Sequence, residues 1–75
     1  MEELLEILKG INPDVDYLSE EHLIDGGIYD SFSIINLVSQ ISEHFEIELG
    51  PGELMPENFN SARAIMEMIE RLKEE

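Results

Sequence analysis

The stretch from Leu23 to Val38 reads LIDGGIYDSFSIINLV, and its interpretation decides the fold. A turn rich in Gly and Asp delivers the tripeptide Asp30-Ser31-Phe32 to the first turn of an amphipathic helix. Ile34, Leu37, Val38, Ile41 and Phe45 recur at intervals of three and four, the spacing that gathers side chains on one helical face. Ser33, Asn36, Gln40 and Glu43 fill the opposite arc. Phe32 falls on that polar arc, beside the serine. An aromatic side chain facing water there offers a contact surface for whatever approaches Ser31; the competing arrangement folds Phe32 back into the core.

The helix can be extended outward in both directions. Upstream, Glu2 to Lys9 form a short first helix, with Leu4, Leu5, Ile7 and Leu8 apolar, acids in the first turn and Lys9 in the last, as the helix dipole favours. Gly10 is expected to stop it, and Pro13 prevents its resumption. Residues 12–30 form a long connection, anchored by Val15, Tyr17, Leu18, Leu23 and Ile24 and too apolar for a free linker. One helical turn is expected from Ser19, whose hydroxyl can cap the following amides. Downstream, the central helix spans Ser31 to His44, and Gly50-Pro51-Gly52 breaks the loop that follows. Pro56 can open a brief helix ending near Phe59. Asn60 or Ser61 can cap a final helix with Ala62, Ile65, Met66, Ile69 and Leu72 inside and Glu67, Glu70 and Arg71 outside.

Composition narrows the function classes. Seventy-five residues make one small domain spanning 1–75, near the lower size limit for a core without cross-links. There is no cysteine, hence no disulfide, thiol nucleophile or thiolate metal site of the chain's own. Any thiol chemistry must come from an added group. Eighteen acids against four bases give a formal net charge of −14, which repels phosphate backbones and anionic lipid surfaces and attracts basic protein surfaces. No apolar run approaches the roughly 20 residues of a membrane span, and no basic amino-terminal segment marks a signal peptide. The expectation is a soluble, cytoplasmic monomer that neither binds nucleic acid nor inserts into membranes.

Ser31 is the candidate functional residue, yet not a catalytic nucleophile. Activation needs a base within hydrogen-bond reach, and His44 lies thirteen residues along the same helix, roughly 20 Å away at 1.5 Å per residue. No Gly-x-Ser-x-Gly elbow surrounds it. The acids of the long connection lack the order of a calcium loop, so no metal site is expected. A serine at a helix start is, however, well placed to bear an anionic substituent, because the first-turn amides and the dipole stabilise negative charge.

Gly27-Ile28-Tyr29-Asp30-Ser31-Phe32, with its apolar ladder, resembles the Asp-Ser-Leu/Met/Phe signature of the acyl carrier and peptidyl carrier proteins. Pro56-Glu57-Asn58-Phe59-Asn60-Ser61 is similar to the segment between that family's third and fourth helices. The resemblance covers about two thirds of the chain. It implies an all-α fold, a small four-helix bundle of three main helices plus one short one. It also implies that Ser31 receives 4′-phosphopantetheine from coenzyme A, that Asp30 helps present the serine, and that the terminal thiol carries cargo as a thioester. The chain itself is then not an enzyme. Its partners are a phosphopantetheinyl transferase and acyl-activating, acyltransferase or synthase enzymes.

One departure stands out. From Ser31 to Ser42 there is no formally charged residue, whereas fatty-acid carriers place acids along this helix. That favours a specialised carrier whose partners read Phe32, Ser33 and Asn36. The principal reading is an acyl carrier in a lipid or specialised acyl pathway, such as cell-envelope or secondary-metabolite synthesis. The alternatives are an aminoacyl or peptidyl carrier, of the D-alanyl or nonribosomal-peptide type, and an unmodified acidic helical adaptor. Met55, Met66 and Met68, with Ile35, Ile41 and Phe59, either surround a deformable space able to shelter cargo or form an ordinary core.

Overall fold

A computed structural model describes residues 2–74 of the chain. Its elements are α1 (Glu2–Ile11), α2 (Ser31–Phe45), α3 (Pro56–Phe59) and α4 (Ala62–Lys73), with a single 3₁₀ turn over Pro51–Glu53. Among the described residues there is no strand, so the all-α expectation of three main helices and one short helix holds. α1 packs on α2 and α4, and α3 on α4.

The core is the sum of the apolar stripes. Leu4 and Leu8 of α1, Leu37 and Ile41 of α2, and Ile65, Met68 and Ile69 of α4 are all buried. Each such side chain contributes about 1.5–3 kcal/mol relative to leaving it exposed. Leu23, Tyr17 and Tyr29 join them from the long connection, and Ile47 and Phe59 from the second half. The inner stripe of α4 differs slightly from expectation, with Met68 fully buried and Met66 and Leu72 only half-buried. Glu67, Glu70 and Arg71 face out as expected.

Two local expectations fail for identifiable reasons. α1 does not stop at Gly10 but runs to Ile11, and the Asn12 N–H still reaches the Leu8 carbonyl at 2.9 Å. Ile11 is half-buried against the core, and that packing offsets the roughly 1 kcal/mol that an interior glycine costs. Ser19, for its part, ends a turn rather than starting one. The Ser19 and Glu20 amides donate to the Asp16 carbonyl, and the Ser19 hydroxyl donates back to Asp16 Oδ2 at 2.9 Å. Leu18, at the tip of this turn, is 80% exposed and anchors nothing.

α2 is closed at both ends. Asp30 caps it, as described below, and at its far end Glu46 adopts the left-handed conformation (φ 55°, ψ 48°), its N–H donating to the Ser42 carbonyl. The Ser42 hydroxyl donates to the Ile47 carbonyl at 2.7 Å and fixes the exit of the chain. Ser61 caps α4 through the Ala64 amide at 3.0 Å. Glu53 and Arg71 form a two-pronged ion pair, at 2.6 and 3.3 Å, that fastens the 3₁₀ turn to α4.

Candidate functional site

The site is built from a closed turn and a helix start. Leu23 is fully buried, and its N–H donates to the Asn60 carbonyl at 3.0 Å. The amides of Ile24 and Asp25 both donate to Asn60 Oδ1 at 3.0 Å, while Asn60 Nδ2 donates to Asp25 Oδ2. Asn60 therefore fastens the start of the turn to the α3–α4 junction, and Ser61, not Asn60, is the cap of α4. Gly26 donates to the His22 carbonyl at 2.7 Å, and a Cβ at Gly26 would lie 2.5 Å from that oxygen. Gly27 has φ +74°, a conformation that glycine reaches without steric cost. The Tyr29 amide then returns to the Leu23 carbonyl at 2.9 Å and closes the loop.

Asp30 follows in extended conformation, and its Oδ1 accepts the Ser33 N–H at 2.8 Å. The Asp30 carbonyl accepts the first helical bond, from Ile34, at 3.0 Å. The Ser33 amide above all, helped by the Ser33 hydroxyl and the Phe32 amide, holds the Asp30 carboxyl below its ordinary range. It is an ionised cap and does not present itself as a proton acceptor. Ser31 occupies the first position of α2 and is exposed. Among the described residues, no hydrogen bond engages its hydroxyl.

Among the described residues, no base is hydrogen-bonded to this hydroxyl. His44 sits in the last turn of α2, 3.5 Å from Glu3 of α1, and His22 is exposed at the start of the closed turn. Among the described residues, no group of three or more His, Asp or Glu side chains could hold a metal ion. What remains is a presented hydroxyl at a helix N-terminus. That arrangement suits a position modified by another protein, since the positive end of the helix favours a phosphodiester anion there.

Phe32 is 83% exposed, as its place on the polar arc requires. Asn36 is exposed as well, its Oδ1 accepting from Gln40 Nε2 at 2.9 Å, and Ser33 is half-buried. Ile35, expected to line an inner space, instead points outward and is 65% exposed. It lies one step off the Ile34-Leu37-Val38 stripe and three residues from Phe32, so the two share a face. That neighbour relation was the missed sequence signal.

Between α2, the long connection and α3, a small apolar depression of about 100 Å³ is lined by Ile24, Ile34, Leu54, Met55, Pro56 and Phe59. Met55 and Phe59 were expected there. Ile41 and Met68 belong to the packed core, and Met66 lies against it.

The chain is similar to several proteins named D-alanyl carrier protein. That of Streptococcus mutans serotype c is 32% identical over 72 residues, 91% of each chain. That of Streptococcus sanguinis is 28% identical, covering 95% of this chain and 91% of its own. That of Streptococcus equi subsp. zooepidemicus is 33% identical over 60 residues, 80% of this chain and 76% of its own. No family model matches the chain, and no solved structure matches it significantly. With its capped Asp-Ser motif, its four helices and a 32% identical relative aligned over nearly its whole length, the chain belongs to the acyl and peptidyl carrier protein family and is a carrier, not an enzyme.

Proposed function

We propose that this chain is an aminoacyl carrier of the D-alanyl type that bears 4′-phosphopantetheine on Ser31. The observation that carries the reading is the relatives' shared identity as D-alanyl carrier proteins, combined with a capped, exposed serine in this chain. The lipid pathway expected as the first reading draws no support from these relatives. The aminoacyl alternative does.

The residues present fit the group. Ser31 offers an exposed, unengaged hydroxyl at the first position of α2, and the positive end of the helix favours an anion attached there. In the loading step, the Ser31 oxygen displaces adenosine 3′,5′-bisphosphate from coenzyme A. One P–O bond forms and one breaks, and the serine proton passes to the transferase. Asp30 keeps α2 wound up to Ser31 and so holds the hydroxyl outward. The attached arm supplies a terminal thiol, which the chain's own side chains lack.

Two features support a small cargo and a specialised partner. The depression beside Ile34, at about 100 Å³, is well below the 300–1,000 Å³ of ordinary ligand pockets. Phe32, Ser33 and Asn36, joined by Ile35, give an uncharged docking face, while the acids elsewhere steer encounter with basic enzymes. The partners under this reading are a phosphopantetheinyl transferase, an aminoacyl-activating ligase and an acceptor enzyme, acting in the cytoplasm on a monomeric carrier. Among the described residues, no helix is long and apolar enough to cross a membrane.

The test is to offer the phosphopantetheinylated protein D-alanine, L-alanine or a medium-chain fatty acid, each with ATP and a matching ligase. Intact mass should rise by one alanyl group with D-alanine and stay unchanged with the fatty acid. Loading of the fatty acid alone returns the lipid reading.

A further inference from the structure

The reactive turn has a second fastening besides Asn60, and it ends two residues before Ser31. Tyr17 and Tyr29 are each 3% exposed, and their rings meet edge to face at 6.3 Å. Their hydroxyls lie 2.7 Å apart. The Tyr17 hydroxyl is 2.6 Å from the Asn12 carbonyl and 2.9 Å from that of Leu8, and the Tyr29 hydroxyl is 3.1 Å from the Leu8 carbonyl. Two hydroxyl protons serve this cluster. In the shortest arrangement, Tyr17 donates to Asn12 and Tyr29 donates to Tyr17. The carbonyl acceptors are that of Asn12, one residue past α1, and that of Leu8, which also takes the Asn12 N–H. Burial pushes both phenols above their ordinary range, so the pair stays protonated.

The geometry points to Tyr29 as a positioning residue for Ser31: its hydroxyl, held by Tyr17 and the end of α1, fixes the direction in which the chain enters α2. This rests on Ser31 being the attachment site. Between the two fastenings, Gly26 and Gly27 give a conformationally permissive backbone, and only half-buried Ile24 and Ile28 pack against the core. Asn60 holds one end of the turn; the Tyr29 hydroxyl and amide hold the other. Removing the hydroxyl leaves the ring in the core and leaves Tyr17 its acceptor at Asn12. What is lost is the hydroxyl's share of the restraint on Asp30 and Ser31, with the Tyr29 amide still bonded to the Leu23 carbonyl. Displacement of a reacting group by about 1 Å can cost on the order of 100-fold in rate, and a loosened turn samples part of that.

The experiment compares wild type, Tyr29→Phe, Tyr17→Phe and the double variant. Two quantities are read: the rate of phosphopantetheine loading from coenzyme A by a promiscuous transferase, and hydrogen exchange at the Ser33 and Ile65 amides. Tyr29→Phe should lower kcat by roughly five- to tenfold with KM within about twofold, because it removes no side chain of the docking face on α2. Exchange at Ser33 should quicken by roughly tenfold while Ile65, in α4, is unchanged. The double variant should be no worse than Tyr29→Phe, since both hydroxyls serve one network. Loading of Tyr29→Phe at the wild-type kcat overturns the proposal. So does equal acceleration of exchange at Ser33 and Ile65, which marks a merely structural tyrosine. Failure of the attachment reading looks different, because wild type too would take up no group.

Discussion

Replacing Phe32 with Ala tests how this carrier recognises its partners. The ring is 83% exposed, and a phenylalanine offers about 200 Å² to bury. A partner covering half of the exposed ring removes about 80 Å² from water, about 2 kcal/mol at 25 cal/mol/Å², or roughly 30-fold in affinity. Because so little of the ring packs on the chain itself, stability should change by less than about 0.5 kcal/mol. The assay is the steady-state rate of cargo transfer from the cognate ligase to the carrier, at sub-saturating carrier, with helicity checked by circular dichroism. Glu43→Lys and Glu46→Lys, both at exposed positions, are the comparison: rim charges alter encounter rates and should cost much less. If those reversals abolish transfer and Phe32→Ala does not, the carrier docks through acids and the uncharged face of α2 has no role in recognition.

Other outcomes follow from the same structure. Glu46, with φ 55°, should prefer glycine: relief of about 1–2 kcal/mol of left-handed strain, less about 0.4–1 kcal/mol of unfolded-chain entropy, leaves Glu46→Gly more stable by about 0.5–1 kcal/mol in urea unfolding. A loss of stability would mean that the Glu46 side chain holds the C-cap. A net charge of −14 on 75 residues opposes compaction, so raising salt from about 0.01 to 0.1 M, which shortens the screening length from about 30 to 10 Å, should raise Tm. A flat or falling Tm contradicts this. The Asp30 carboxyl is held below its ordinary value of 3.8 in the folded chain, so its contribution is complete above that value and is lost as pH falls through the lower, folded one. The advantage of wild type over Asp30→Asn in urea midpoint should therefore hold at neutral pH and shrink only below about pH 4; an advantage independent of pH would remove the charge from the explanation.

Much of this was legible in the sequence because the decisive elements rest on local chemistry. The three-and-four spacing of Ile34, Leu37, Val38 and Ile41 identified α2, and the exposed Phe32 followed from its place on the polar arc. Pro56 and Ser61 announced α3 and α4 from their places at the helix starts. Features that depend on distant partners were not readable. Gly10 stays helical because Ile11 finds the core, Leu18 stays wet because its turn closes backward on Asp16, and Asn60 serves a turn 35 residues away instead of its own helix. The tyrosine pair gave one signal, since buried tyrosines need hydrogen-bond partners, but nothing local says that the partners are each other and the Leu8 and Asn12 carbonyls. The cargo was the least legible of all. Attachment chemistry is common to carriers of every cargo, and the aminoacyl reading rests on the relatives and not on any residue.

Incubation of wild type and Ser31→Ala with coenzyme A and a promiscuous phosphopantetheinyl transferase, followed by intact-mass and peptide mass analysis, tests the central claim most directly. Both proteins should fold, since Ser31 is exposed and Asp30 supplies the cap. Wild type should gain the mass of one phosphopantetheine group, on the peptide containing Ser31, and Ser31→Ala should gain nothing. An unmodified wild type, or a Ser31→Ala chain modified at another residue, would contradict it.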